Sequence, residues 1–168
     1  EVAVTKDGKR NEIINGVPDW VYQEEFGMLS SLAWSPDNSI LAFLKWDESA
    51  VKMYDMSLYR GSCDEKPEYK YYPGSFSYKY PVAGEVNSKV KVISYDVETR
   101  ALKEMNVPLD YDGYVNKIEF GKTPERLMVN TLNRNQNEMK LYAVNPRSAM
   151  AKLIYTDKST TWIDPDLT

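Results

Sequence analysis

Apolar positions along this chain recur with the spacing of β-strands and are punctuated by proline, glycine, asparagine and aspartate. The run Leu29 to Trp34 predicts a strand, and Ser35-Pro36-Asp37-Asn38 ends it, because proline fixes φ while Asp and Asn tolerate the tight conformations that follow. Ile40 to Trp46 predicts a second strand, apolar without alternation and so buried on both faces. Val51 to Met56 alternates and predicts a third. Lys89 to Val97 predicts another, and Glu98-Thr99-Arg100 turns the chain into Ala101 to Met105.

The order then repeats as Tyr114 to Phe120, a turn at Gly121 to Arg126, Leu127 to Leu132, Met139 to Val144, a turn at Asn145-Pro146-Arg147, and Ala151 to Tyr155. Trp34 and Phe120 lie 86 positions apart, Val51 and Met139 88, and this near-constant offset predicts an internal repeat. Four antiparallel strands in a repeat of about 40–50 residues is the pattern of a β-propeller blade. The offset exceeds one bare blade, and the excess falls in Tyr59 to Asn87. Within it, Tyr69-Lys70-Tyr71-Tyr72 and Ser77-Tyr78-Lys79-Tyr80 are good strand formers, which predicts a projecting hairpin arm rather than a loose loop. Exposed aromatic rows on such an arm suggest a partner surface.

The expected fold class is therefore all-β: a partial β-propeller of about two four-stranded antiparallel blades with an inserted hairpin arm. A sandwich-like all-β domain is the alternative. Residues 1–28 read as the end of a preceding blade, 29–106 as a blade carrying the arm 59–87, 107–161 as the next blade, and 162–168 as the start of another. Two blades do not close a ring, and the chain reads as an excised segment of a longer one.

Composition narrows the chemistry. The 168 residues contain no histidine and one cysteine. A Ser-His-Asp or Cys-His arrangement cannot be assembled from them, nor can a zinc site with imidazole ligands or a thiolate cage. The net charge of −4, with 21 basic residues dispersed among 25 acidic ones, argues against nucleic acid. No apolar run approaches the roughly 20 residues of a membrane-spanning helix. No nucleophile elbow, dinucleotide fingerprint or P-loop is present, and no cofactor is implied. The pairs Asp110, Asp112 and Asp164, Asp166 lack an EF-hand pattern and read as turns. Cys63 reads as an incidental residue of the arm.

One segment carries distinctive chemistry. In Asp19-Trp20-Val21-Tyr22-Gln23-Glu24-Glu25-Phe26, two adjacent carboxylates follow a cluster of aromatic and β-branched residues. Such a pair is ill suited to a core and well suited to holding a cation. Composition alone also allows a solvated acidic surface pair. Successive side chains on a strand point to opposite faces. Convergence of Glu24 and Glu25 therefore requires a short helical turn or loop near Tyr22 to Gly27, with Gly27 leaving it at an unusual φ. Trp20 and Tyr22 read as packing residues beside that turn.

Asp19 to Glu25 resembles the double-glutamate segment of the dipeptidyl-peptidase IV family, and Asn15-Gly16-Val17-Pro18 precedes it in the same way. Ala33-Trp34-Ser35-Pro36-Asp37 resembles the family's W-S-P turn. Lys79-Tyr80-Pro81-Val82-Ala83-Gly84-Glu85-Val86-Asn87 resembles its Y-P-K-A-G-x-x-N segment. Gln23 departs from the first glutamate of the family pattern, Val82 from a lysine, and the cysteines of animal members are missing, which favours a bacterial-type relative. The resemblance implies that Glu24 and Glu25 grip the free amino terminus of a peptide substrate. It implies an eight-bladed propeller capping a C-terminal α/β-hydrolase domain that holds the catalytic Ser, Asp and His. It implies that the arm, Tyr59 to Asn87, helps form a homodimer, and that the protein acts in the periplasm, outside the cell or at its surface. This segment alone is then inactive. A non-catalytic propeller that binds protein through the arm, and a tripeptidyl or other aminopeptidase of the same family, are the alternatives.

Overall fold

The computed structural model describes residues 1–60 and 69–165, and Cys63 and Asp166 lie outside them. It contains eleven strands and one helix among the described residues: β1 (Ile13–Asn15), α1 (Trp20–Glu25), β2 (Leu32–Trp34), β3 (Ile40–Asp47), β4 (Met53–Leu58), β5 (Gly74–Lys79), β6 (Lys89–Asp96), β7 (Leu102–Glu104), β8 (Tyr114–Phe120), β9 (Leu127–Leu132), β10 (Glu138–Val144) and β11 (Ala151–Lys158). The fold is all-β, and most expected apolar runs become strands close to their expected bounds; Leu29 to Trp34 yields only Leu32–Trp34, and Tyr69-Lys70-Tyr71-Tyr72, expected to form strand, lies outside any strand.

The unbroken apolar character of β3 has a direct cause. Ala42, Leu44 and Trp46 on one face join the main core, while Leu41 and Phe43 on the other pack with Ile93 and Tyr95 of β6. The main core continues through Val90 and Val92 of β6 to Val115, Leu127, Val129, Leu132, Tyr142 and Val144 of β8, β9 and β10. One apolar layer thus joins two antiparallel sheets, and α1 adds Val21 and Tyr22 to it, with Phe26 just beyond the helix.

The second sheet is an up-and-down meander, β8-β9-β10-β11. The first follows the same plan with two changes. Its third strand is β6, which pairs with β3 along Ile40↔Asp96 to Asp47↔Lys89. The alternating run Val51 to Met56, expected as that third strand, instead supplies β4, whose partner is β5 (Met53↔Lys79 to Leu58↔Gly74). The arm therefore begins before Tyr59. Alternation fits a two-stranded hairpin open to water as well as it fits a sheet strand, and here the hairpin wins. With β6 in place the repeat becomes regular. Asp96 and Asn145 open equivalent turns, bonding to the carbonyls of Ala101 and Met150, and lie 49 positions apart. That spacing suits one bare blade.

The second change concerns the sheet edge beside β3. β1 and β2 both run antiparallel to β3 on the same side of it, β1 against residues 45–47 and β2 against 41–43. They are one strand position in two pieces, so residues 13–15 belong to this sheet and do not end a preceding one. Residues 16–31 leave the strand as an excursion that carries α1. Its neck is closed by Gly16 N–H to Leu44 O (2.9 Å), Leu44 N–H to Ser31 O (3.1 Å) and Ser31 N–H to Gly16 O (3.4 Å).

Gly16 is required at that neck. Its φ is +75°, and a Cβ there would lie 2.9 Å from Leu32 Cδ2. Gly16→Ala is expected to lower stability by about 1–2 kcal/mol from the left-handed backbone alone, read as a drop in the thermal unfolding midpoint.

Candidate functional site

The excursion holds a six-residue helix because its sequence caps one end and breaks the other. Asp19 is the N-cap, in extended conformation, and its Oδ1 accepts from Tyr22 N–H at 3.0 Å. Gln23 Nε2 reaches back to Pro18 O at 2.7 Å. At the other end Gly27 adopts φ +58°, and Met28 N–H bonds to Tyr22 O at 3.0 Å. The expected helical turn and the unusual φ at Gly27 are both present, with the helix starting two residues earlier, at Trp20.

Helical spacing sorts the side chains. Tyr22 and Phe26, four apart, face the core with rings 5.3 Å from each other. Tyr22 is 2% exposed, its ring lies 5.0 Å from that of Trp46, and its hydroxyl accepts from Val115 N–H on β8 at 3.0 Å. Burial pushes that hydroxyl far above the ordinary tyrosine range, so it stays protonated. Trp20 and Tyr22 are thus both packing residues, as expected. Glu24 and Glu25, about 100° apart around the axis, are exposed. Neither makes a hydrogen bond or an ion pair among the described residues.

Their position is electrostatically unfavourable. They occupy the last turn of α1, where the helix dipole is negative, and that turn contains no basic residue. Two like charges at the negative pole form a local well for a cation. Just beyond it lies an open groove of about 230 Å³ lined by Phe26, Gly27, Met28, Ser31, Asn116 and Ile118, among others. Asn116 sits at the irregularity where β8 skips a residue against β9. Ser31 Oγ and Asn116 Oδ1 are buried there without a partner among the described residues.

On the other side of α1, Asp19 and Glu48 are both buried. Burial raises the Asp19 carboxyl above its ordinary 3.8. Burial first, and then the charge of Asp19, raises Glu48. Spacing alone does not reveal the structural weight of Asp19, although Asp followed by an apolar run is the usual mark of a helix start. Asp112 pairs with Lys89 at 2.6 Å, Asp110 O accepts from Gly113 N–H in a turn, and no metal-holding cluster occurs among the described residues.

Comparison with known proteins gives a consistent result. The whole chain, residues 1–168, matches the family model described as the dipeptidyl peptidase IV (DPP IV) N-terminal region. The dipeptidyl-aminopeptidase B of Aspergillus niger is 32% identical over 98% of this chain and 19% of its own length. The crystal structure of Porphyromonas gingivalis dipeptidyl peptidase 4 superposes with a TM-score of 0.88 at 45% identity, over 98% of this chain and 22% of that one. A second solved structure, from Bacteroides ovatus, matches with a TM-score of 0.80 at 26% identity. The chain spans about a fifth of the length of these relatives.

Asp19→Ala is expected to cost about 1 kcal/mol through the lost cap, while Asp19→Asn keeps the acceptor and removes the buried charge. Because the folded-state carboxyl of Asp19 is raised, the folded protein holds this proton more tightly than the unfolded one. Its contribution favours the folded state below 3.8 and is lost as pH rises from there through the raised value. Unfolding midpoints followed against pH should show this loss in the parent and not in Asp19→Asn.

Proposed function

This chain belongs to the family of the dipeptidyl peptidase IV N-terminal region, and from that premise we propose that it receives the free amino terminus of a peptide for a serine-type dipeptidyl peptidase. The observation that carries the reading is the Glu24–Glu25 couple, unpaired among the described residues, at the negative pole of a helix anchored by Tyr22. A peptide's α-amino group has a pKa near 8 and is mostly cationic at neutral pH. Each charge-assisted hydrogen bond from it to a carboxylate is worth about 1.5–3 kcal/mol when partly shielded.

Capture at a fixed point works as a ruler. With the chain end held and the nucleophile of a separate hydrolase domain two residues away, the dipeptide bond is presented and others are not. A blocked amine leaves both carboxylates without a counter-charge and is rejected. The absence of histidine supports placing the triad in the C-terminal α/β-hydrolase domain of the parent chain, this segment being inactive by itself. The propeller segment then serves as substrate gate. The arm, with Tyr54, Met56, Phe76, Tyr71 and Tyr72 exposed, is the surface for a homodimer. Periplasmic, secreted or cell-surface action follows from the same reading.

In the full-length gene product, Glu24→Ala and Glu25→Ala should each lower kcat/KM toward an unblocked dipeptidyl substrate by about ten- to a hundredfold. The N-acetylated substrate should not be cleaved. Values near those of the parent in both variants would remove the proposal.

A further inference from the structure

Both ends of the arm are rooted in the aromatic cluster beneath α1. The chain leaves β3 at Trp46 and Asp47, with the Trp46 ring against Tyr22. It returns at Asn87, whose Nδ2 donates to Tyr114 Oη at 2.8 Å, and the Tyr114 ring packs on Phe26 at 5.4 Å. Arg134, in the turn between β9 and β10, donates to Glu85 O at 2.8 Å, and Lys52 pairs with Glu85 at 2.9 Å. The base of the arm is therefore fixed to both sheets.

Above that base the arm meets the helix directly. Tyr80, whose N–H closes the hairpin on Lys52 O at 3.1 Å, places its ring 4.1 Å from that of Trp20, the first residue of α1. Tyr80 is the foot of a ladder of rings that runs outward along the arm: Tyr54 at 5.1 Å, Tyr78 at 5.9 Å, and Phe76 at 5.7 Å from Tyr78. Beside this contact a cleft of about 320 Å³, lined by Asp19, Gln23, Glu48, Phe76 and Tyr78 among others, separates arm and helix.

Trp20 and Glu25 mark the two ends of a helix with a buried pivot at Tyr22. Glu25 lies about 4.5 Å along the axis beyond that pivot, so a tilt of about 13° about it moves this end of the helix by about 1 Å. A displacement of that size can change a rate by about a hundredfold.

We infer that Trp20 and Tyr80 are a positioning pair through which the arm orients the Glu24–Glu25 helix. The inference rests on the reading of those glutamates as the ammonium anchor. It links the surface assigned to a second copy of the chain with the point where substrate is held, so that packing on the outer rings of the ladder is transmitted to the anchor.

The test is steady-state kinetics of the full-length gene product with an unblocked dipeptidyl substrate. Tyr80→Ala and Trp20→Ala should raise KM about tenfold with kcat within about twofold. Tyr80→Phe should match the parent, since the ring and not the hydroxyl makes the contact. On a Glu24→Ala/Glu25→Ala background, Tyr80→Ala should raise KM no further, because no anchor is left for the arm to orient. If Tyr80→Ala does not fold, Tyr80→Leu, which keeps most of the volume, is judged by the same criteria. An unchanged KM in both alanine variants overturns the inference. So does an equal loss in kcat and KM that Tyr80→Phe does not rescue, or a further rise in KM on the Glu24→Ala/Glu25→Ala background. If Glu24→Ala and Glu25→Ala alone leave kcat/KM unchanged, the anchor reading fails instead, and a Tyr80→Ala effect that persists there counts against the coupling as well.

Discussion

The hydroxyl of Tyr22 is the point on which the arrangement turns. It lies in the apolar layer between the sheets, 93 residues from the Val115 amide it accepts from. Without it a buried N–H next to the irregularity in β8 would have no partner, at a cost of about 1–3 kcal/mol. With it, a helix far too short to be stable alone becomes an extension of the core. What is exposed on that helix is anchored to the core through this residue, reinforced by the rings of Trp46, Phe26 and Tyr114.

Rigidity beneath and charge above are complementary. Several turn carboxylates of this chain are satisfied locally: Asp37, for example, accepts from the Ser35 hydroxyl at 2.7 Å and is held at about 2 chiefly by it. Glu24 and Glu25 differ from these, having neither a cation nor a local donor among the described residues and sitting at the end of a helix that disfavours anions.

Much of the fold is legible in the sequence because its signals are local. Non-alternating apolar residues in Ile40 to Trp46 demand a central strand, and Ser35-Pro36-Asp37-Asn38 demands a turn. The requirement that Glu24 and Glu25 share a side excludes a strand there, and Gly27 marks the exit. What the sequence hides depends on pairing between distant residues. Val51 to Met56 alternates as well as any sheet strand, and only its bonding to β5 assigns it to the arm. The division of one strand position into β1 and β2 depends on Gly16 and Ser31 meeting opposite Leu44, which no window of sequence displays. Asp19 is easily misread, because an acidic residue close to two glutamates looks like part of the same charge cluster, whereas it is buried and serves the backbone.

The unequal connections in the two sheets bear on how the chain reaches this state. Between β9 and β10 five residues intervene, whereas 41 separate β3 from β6. Loop-closure entropy makes the second junction costlier by about 2 kcal/mol. The sheet with the short connections is thus the natural nucleus. The other gains when the hairpin zips first, because zipping shortens the effective loop. The arm is then a splint for its own sheet, drawing together the strands on either side of it.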